Sequence, residues 1–121
     1  MTDLTPQLDA IAAALTARRM SVNTESQLQA EIGAALAAAG IKATAEHRLA
    51  PASRIDFLAG AIGIEAKIKG SRLAVWRQLE RYAAFEAIHA LVLVGTVVMP
   101  AGIDSCGGKP FRFVSIGKGW L

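Results

Sequence analysis

A single cysteine, a low share of charged residues and the lack of any long apolar run narrow what this 121-residue chain can be. One cysteine, Cys106, excludes an internal disulfide framework and a cysteine-rich zinc site, and it fits a reducing cytoplasm. The longest apolar run, ALVLVGTVVM at 90–99, is too short to cross a bilayer. The first turn carries Asp3 and no basic stretch, so no secretory leader is expected. His47 and His89 do not have the spacing of a zinc motif, and Ser105 and Cys106 have no histidine beside them for nucleophilic catalysis. The GGK at 107–109 lacks the other residues of a phosphate-binding loop and reads as a turn.

What is present suits one globular unit. Hydrophobic residues make up 53% of the chain against 19% charged, well away from disordered composition, and no repeat or linker interrupts it. A single domain over 1–121 is therefore expected, with a leading helix in 1–20, a core in 24–95 and a turn with an edge strand in 96–121. Charge is uneven. Residues 1–50 carry four basic and five acidic side chains, residues 51–121 nine and five, so the second part sums to +4 and suits a polyanionic partner.

Residues 4–19 place Leu4, Leu8, Ile11, Ala12 and Leu15 at helical spacing, with Arg18 and Arg19 suited to a helix C-terminus. Thr24 followed by Gln27 forms a capping-box pattern, Gly40 is a helix stop, and Leu28, Ile32, Leu36 and Ala39 lie on one stripe between them. Strands are expected at 41–49, 53–59 and 61–69, then a helix from Ser71 to Ile88 with Leu73, Trp76, Leu79, Ala83 and Ile88 on its apolar side. A buried strand at 90–99 and an edge strand at 110–117 complete the order helix, helix, three strands, helix, two strands. That is an α/β domain.

The chemistry concentrates in AIGIEAKIKG, residues 61–70. As a strand it sets Ile62, Ile64, Ala66 and Ile68 on one face and Gly63, Glu65, Lys67 and Lys69 on the other, with glycines that allow a close approach. Asp56, with Ile55 and Phe57 pointing the other way, shares the charged face if the strands form a meander. Carboxylates from Asp56 and Glu65, joined by the Ala66 carbonyl, are hard oxygen ligands for Mg2+ or Mn2+. Lys67 would then position a water or neutralise charge developing on phosphorus. The bland alternative is a solvated surface pair of little energy. Gln78 and Tyr82 lie four apart on one face of the next helix, as supports of the site or as a half-buried shoulder.

The set Asp56, Glu65-Ala66-Lys67 and Gln78-x-x-x-Tyr82, behind a helix bearing a glutamate, resembles the PD-(D/E)XK nuclease superfamily over residues 24–95. Gln-x-x-x-Tyr is similar to its RecB-like branch, and the short length is similar to phage replication-repair nucleases and Holliday junction resolvases. Ile55-Asp56 stands where the family has Pro-Asp. The resemblance implies a restriction-endonuclease-like core, a central mixed sheet flanked by helices. It implies Asp56 and Glu65 as ligands of Mg2+ (Mn2+ as substitute), Lys67 as the catalytic lysine, and Gln78 and Tyr82 as site supports. Glu25, ahead of Leu28-Gln29, is the preferred helix acid, with Glu31 and Glu46 as alternatives. Arg54, Lys69, Arg72, Arg77 and Arg81 would face DNA. A DNA nuclease of the cytoplasm of a bacterial or phage-infected cell follows as the expectation, acting as a homodimer or higher homo-oligomer through the apolar first helix. A silent nucleic-acid-binding or assembly protein is the alternative.

Overall fold

The computed structural model describes residues 3–21 and 23–116. Thr24 caps the second helix as its position suggests: its side chain accepts the Gln27 N–H at 3.1 Å. The reciprocal half of the capping box is missing, because the Gln27 amide oxygen accepts the Ser21 hydroxyl instead. At the other end Gly40 adopts φ +73°, and the Ile41 N–H reaches back to the Leu36 carbonyl at 2.9 Å, the wrap that closes a helix at glycine. Helices α1 (Thr5–Thr16) and α2 (Glu25–Ala38) result. Leu8, Ile11 and Leu15 of α1 and Leu28, Ile32, Ala35 and Leu36 of α2 are buried in one cluster, so the apolar stripe expected to recruit a second copy is used inside the molecule. Ala39, expected on the buried stripe of α2, is exposed.

The strands are β1 (Thr44–Ala50), β2 (Ser53–Ala59), β3 (Ile62–Lys67), β4 (Ala90–Gly95), β5 (Ser105–Cys106) and β6 (Lys109–Ser115), with α3 (Arg72–Ala83) between β3 and β4. They form one mixed six-stranded sheet in the order β1-β2-β3-β4-β6-β5. Strands β1 to β3 run as an antiparallel meander, whereas β3, β4 and β6 are parallel neighbours. All six residues of β4 are buried, as its composition suggests for a central parallel strand. Helices α1 and α2 cover one face and α3 the other. The described residues thus form an α/β fold of three helices and six strands, and no described helix is long and apolar enough to cross a membrane.

Several expected boundaries move, each for a reason set by the surrounding fold. Strand β4 ends at Gly95 and not at Met99. There the Thr96 N–H and hydroxyl turn to the carbonyls of Lys67 and Ile68, and a β-carbon on Gly95 would collide with the Lys67 carbonyl. Helix α3 stops at Ala83, five residues short, and the Lys109 ammonium satisfies the carbonyls of Phe85 (3.0 Å) and Ile88 (2.5 Å) beyond it. Its inward face is Val75, Leu79, Tyr82 and Ala83, while Leu73 is exposed. The expected edge strand lies one place inside the edge. Gly107 and Gly108, both at positive φ, make a two-residue turn that folds the short β5 back along β6. Residue 117, placed in that strand from the sequence, lies outside the described residues.

Candidate active site

Strands β2 and β3 pair only from Phe57–Ile64 to Ala59–Ile62. One step further the ladder gives way to side chains. The Asp56 N–H donates to Glu65 Oε1 at 3.1 Å, and the Ala66 N–H donates to Asp56 Oδ2 at 2.8 Å. Each carboxylate therefore takes an amide of the opposite strand that the ladder leaves unpaired, and the two acids face each other across the opening. The alternation of β2 breaks here too. Ile55 packs under α3 and Phe57 under α2, so they do not share a face as expected. In β1, Glu46 lies between the paired residues Ala45 and His47 and opposite Asp56, and it is a non-glycine residue in the left-handed region, φ +51°.

The charged face of β3 is not solvated. Glu65 is 3% exposed beneath α3, and Gly63 is glycine because Ile55 and the core chains Ile88 and Leu91 fill its space. The close approach at Gly63 belongs to the protein's own core. Tyr82 is buried beside Glu65. Its hydroxyl accepts from Gln78 Nε2 at 2.9 Å, and its one proton faces both the Arg54 carbonyl (3.0 Å) and Glu65 Oε2 (3.3 Å). Lys67 Nζ stands 3.8 Å from the same Oε2, with its side chain still 21% exposed, so it links the buried acid to the surface. Asp56, Glu65, Lys67, Gln78 and Tyr82 are thereby brought into one connected group.

Gln29 joins them and was not among the expected site residues. From α2 it donates to Asp56 Oδ1 at 2.9 Å. Its signal in the sequence is its place four residues after Glu25, on the same helix face. Glu25 itself accepts the N–H groups of Ile68 (3.1 Å) and Lys69 (3.5 Å), which holds it at the end of β3 just past Lys67. Of the alternatives, Glu31 accepts the Ser21 N–H, whereas Glu46 pairs with Arg54 at 3.5 Å and stands opposite Asp56 in β1. Arg54, Lys69, Arg72, Arg77 and Arg81 are all exposed. A cleft of about 330 Å³ opens between α2 and the β1–β2 hairpin, and Asp56, Gln29, Glu46 and Ser26 line it.

Burial dominates the electrostatics. It pushes Glu65 up to about 8, with the nearby Asp56 charge adding to the rise, against the Asp56 N–H, Lys67 and Tyr82, which favour ionisation. Burial also raises Asp56, and the Ala66 N–H, Gln29 and Lys67 oppose it. The Tyr82 hydroxyl is raised by burial and by Glu65, so it stays protonated. Near neutral pH the pair of acids therefore keeps a proton. Once that proton leaves, two carboxylates face one lysine, and a hard divalent cation would supply the missing positive charge. Among the described residues no group of three or more His, Cys, Asp and Glu side chains is placed to hold a metal ion. A cation at Asp56 and Glu65 would need water, carbonyl or phosphate oxygens to complete its shell. Comparisons with protein-family models, with curated proteins and with solved structures found no match.

Proposed function

We propose that the chain is a Mg2+-dependent deoxyribonuclease built on a restriction-endonuclease-like core of the PD-(D/E)XK kind, acting in DNA recombination, repair or phage DNA processing. The observation that carries the reading is the crossed pair Asp56 and Glu65 at the parting of β2 and β3, with Lys67 against Glu65. A purely binding surface gains nothing from a buried glutamate and a half-buried aspartate, which repel phosphate. An enzyme that must concentrate a divalent cation at a phosphodiester does gain from them.

In this reading Asp56 and Glu65 hold Mg2+, or Mn2+ in its place, with the Ala66 carbonyl and Glu25 on its flank. When bound, the cation supplies Lewis acidity that activates water and neutralises phosphate oxygens. The chain does the rest. Gln29 keeps the Asp56 carboxylate oriented, and Gln78 through Tyr82 does the same for Glu65. Lys67 orients the attacking water and offsets the negative charge that builds on phosphorus as the bond to the leaving oxygen breaks. Arg54, Lys69, Arg72, Arg77 and Arg81 hold the DNA backbone. A homodimer or higher assembly would enlarge that surface, and light scattering at micromolar concentration tests it.

The deciding experiment is cleavage of labelled single-stranded, duplex, flap and four-way-junction DNA in Mg2+, in Mn2+ and in EDTA. Metal-dependent cutting of at least one substrate is expected, and the product lengths separate endonuclease from exonuclease. DNA binding with no cutting of any substrate in either metal would establish the silent DNA-binding reading instead.

A further inference from the structure

Two large apolar side chains stand out as exposed on the described surface, Leu73 at 58% and Val98 at 62%. Neither is used by the site above. Leu73 lies in the first turn of α3, and Val98 lies in the segment that follows β4, so both belong to the carboxyl end of the parallel strands β3 and β4. That end of an open α/β sheet is where ligands sit, and Lys67 closes β3 there. Between the two elements runs a groove of about 280 Å³ lined by Arg72, Leu73, Trp76, Met99, Pro100 and Ile103. The Trp76 ring is held at 86° against Phe111 with centroids 5.3 Å apart, so it is a fixed wall.

The charge of the groove chooses among occupants. Its lining holds one cation and no acid; exposed Arg77 and Lys69 lie one and three residues from it in sequence, against one exposed acid, Asp104, beside Ile103, so cations outnumber acids around it. A partner that presents an apolar, flat surface on an anionic chain satisfies both features, and an unstacked nucleobase on its phosphate backbone is such a partner. A duplex is not, because its bases are stacked inside. We infer that this groove receives a base of single-stranded DNA, with Arg72 on the adjoining phosphate and the base laid against Trp76 and Leu73. The inference rests on the nuclease reading for the identity of the strand and adds its form: a frayed end, flap or single strand.

The test is binding without divalent metal, by fluorescence anisotropy in EDTA, of a short oligothymidylate and of a blunt duplex. The parent, Leu73→Ser and Leu73→Glu are compared, and the exposure of Leu73 lets both variants fold. Leu73→Glu is expected to weaken single-strand binding about tenfold or more, in line with the loss of one stacked base. Leu73→Ser should weaken it by roughly a third of that factor on a logarithmic scale, with duplex binding unchanged for both. Unchanged single-strand affinity in Leu73→Glu, or an equal loss on both DNAs, would overturn the inference. So would a parent dimer that Leu73→Glu dissociates, since the groove would then be covered by a second copy. Mg2+-dependent cleavage by the same proteins keeps the two claims apart. A parent that cuts while Leu73→Glu binds normally removes the groove alone. A parent that never cuts but binds single strands through Leu73 removes the nuclease reading and leaves the groove.

Discussion

Replacing Glu65 by Gln separates the burial of a carboxyl from its charge, and the outcome can be worked from the structure. The folded protein holds the Glu65 proton up to about pH 8, whereas an unfolded chain releases it near 4.5. Between those values the folded state binds more protons than the unfolded one, so stability falls as pH rises and levels off above about 8. At about 1.4 kcal/mol for each tenfold change in proton affinity, the full span corresponds to roughly 5 kcal/mol. Water entering around Lys67 and Asp56 relaxes part of this, so at least about 2 kcal/mol is expected at pH 9. Gln keeps the shape and still accepts the Asp56 N–H, but it never ionises. Glu65→Gln should therefore match the parent at pH 5 and exceed it at pH 9, by about 8 °C or more in Tm at on the order of 4 °C per kcal/mol. The assay is urea unfolding and thermal melting in EDTA across pH 5 to 9. Parallel pH profiles for the two proteins would refute the buried, proton-holding carboxyl.

Three further outcomes follow from the same geometry. Mg2+ should stabilise the parent more at pH 8.5 than at pH 6, where the Glu65 proton competes, by up to about 2.7 kcal/mol at a hundredfold excess over Kd, read as a rise in Tm, and Glu65→Gln should lose that gain. No Mg2+ response at either pH would contradict it. Gln29→Ala removes a donor that favours ionised Asp56, so the acid limb of a cleavage profile should move to higher pH while stability changes by about 1 kcal/mol. An unmoved limb would show that Gln29 does not tune Asp56. Gly63→Ala puts a β-carbon 2.5 Å from Ile55 Cδ1 and should destabilise by about 1–3 kcal/mol in urea, whereas an unchanged midpoint would mean that the core yields there.

The residues that carry the candidate site are readable from the chain because successive elements carry them, although the alternation expected around Asp56 breaks there. Asp56 and Glu65 fall on neighbouring strands of a tight meander, Lys67 is two residues from Glu65, and Gln78 and Tyr82 are one helical turn apart. The cap at Thr24 and the burial of β4 are equally local. What escaped depends on partners distant in sequence. Gln29 meets Asp56 across 27 residues, and Lys109 caps the turn after α3 from 21 to 24 residues downstream, which ends that helix early. The facing of α3 is set by Trp76 against Phe111, which turns Leu73 outward although helical spacing counts it as core. Gly63 illustrates an ambiguity of meaning: a glycine beside a charged pair signals close approach, and only the packing of Ile55 over it shows that what approaches is the core.

The most direct test of the central claim is cutting of end-labelled DNA in Mg2+ by the parent, Glu65→Gln and Lys67→Ala, each shown to be folded by circular dichroism. The parent is expected to cut only with metal, both variants to lose at least about 100-fold in rate, and both still to bind DNA. Folded variants that cut at the parent's rate would contradict it.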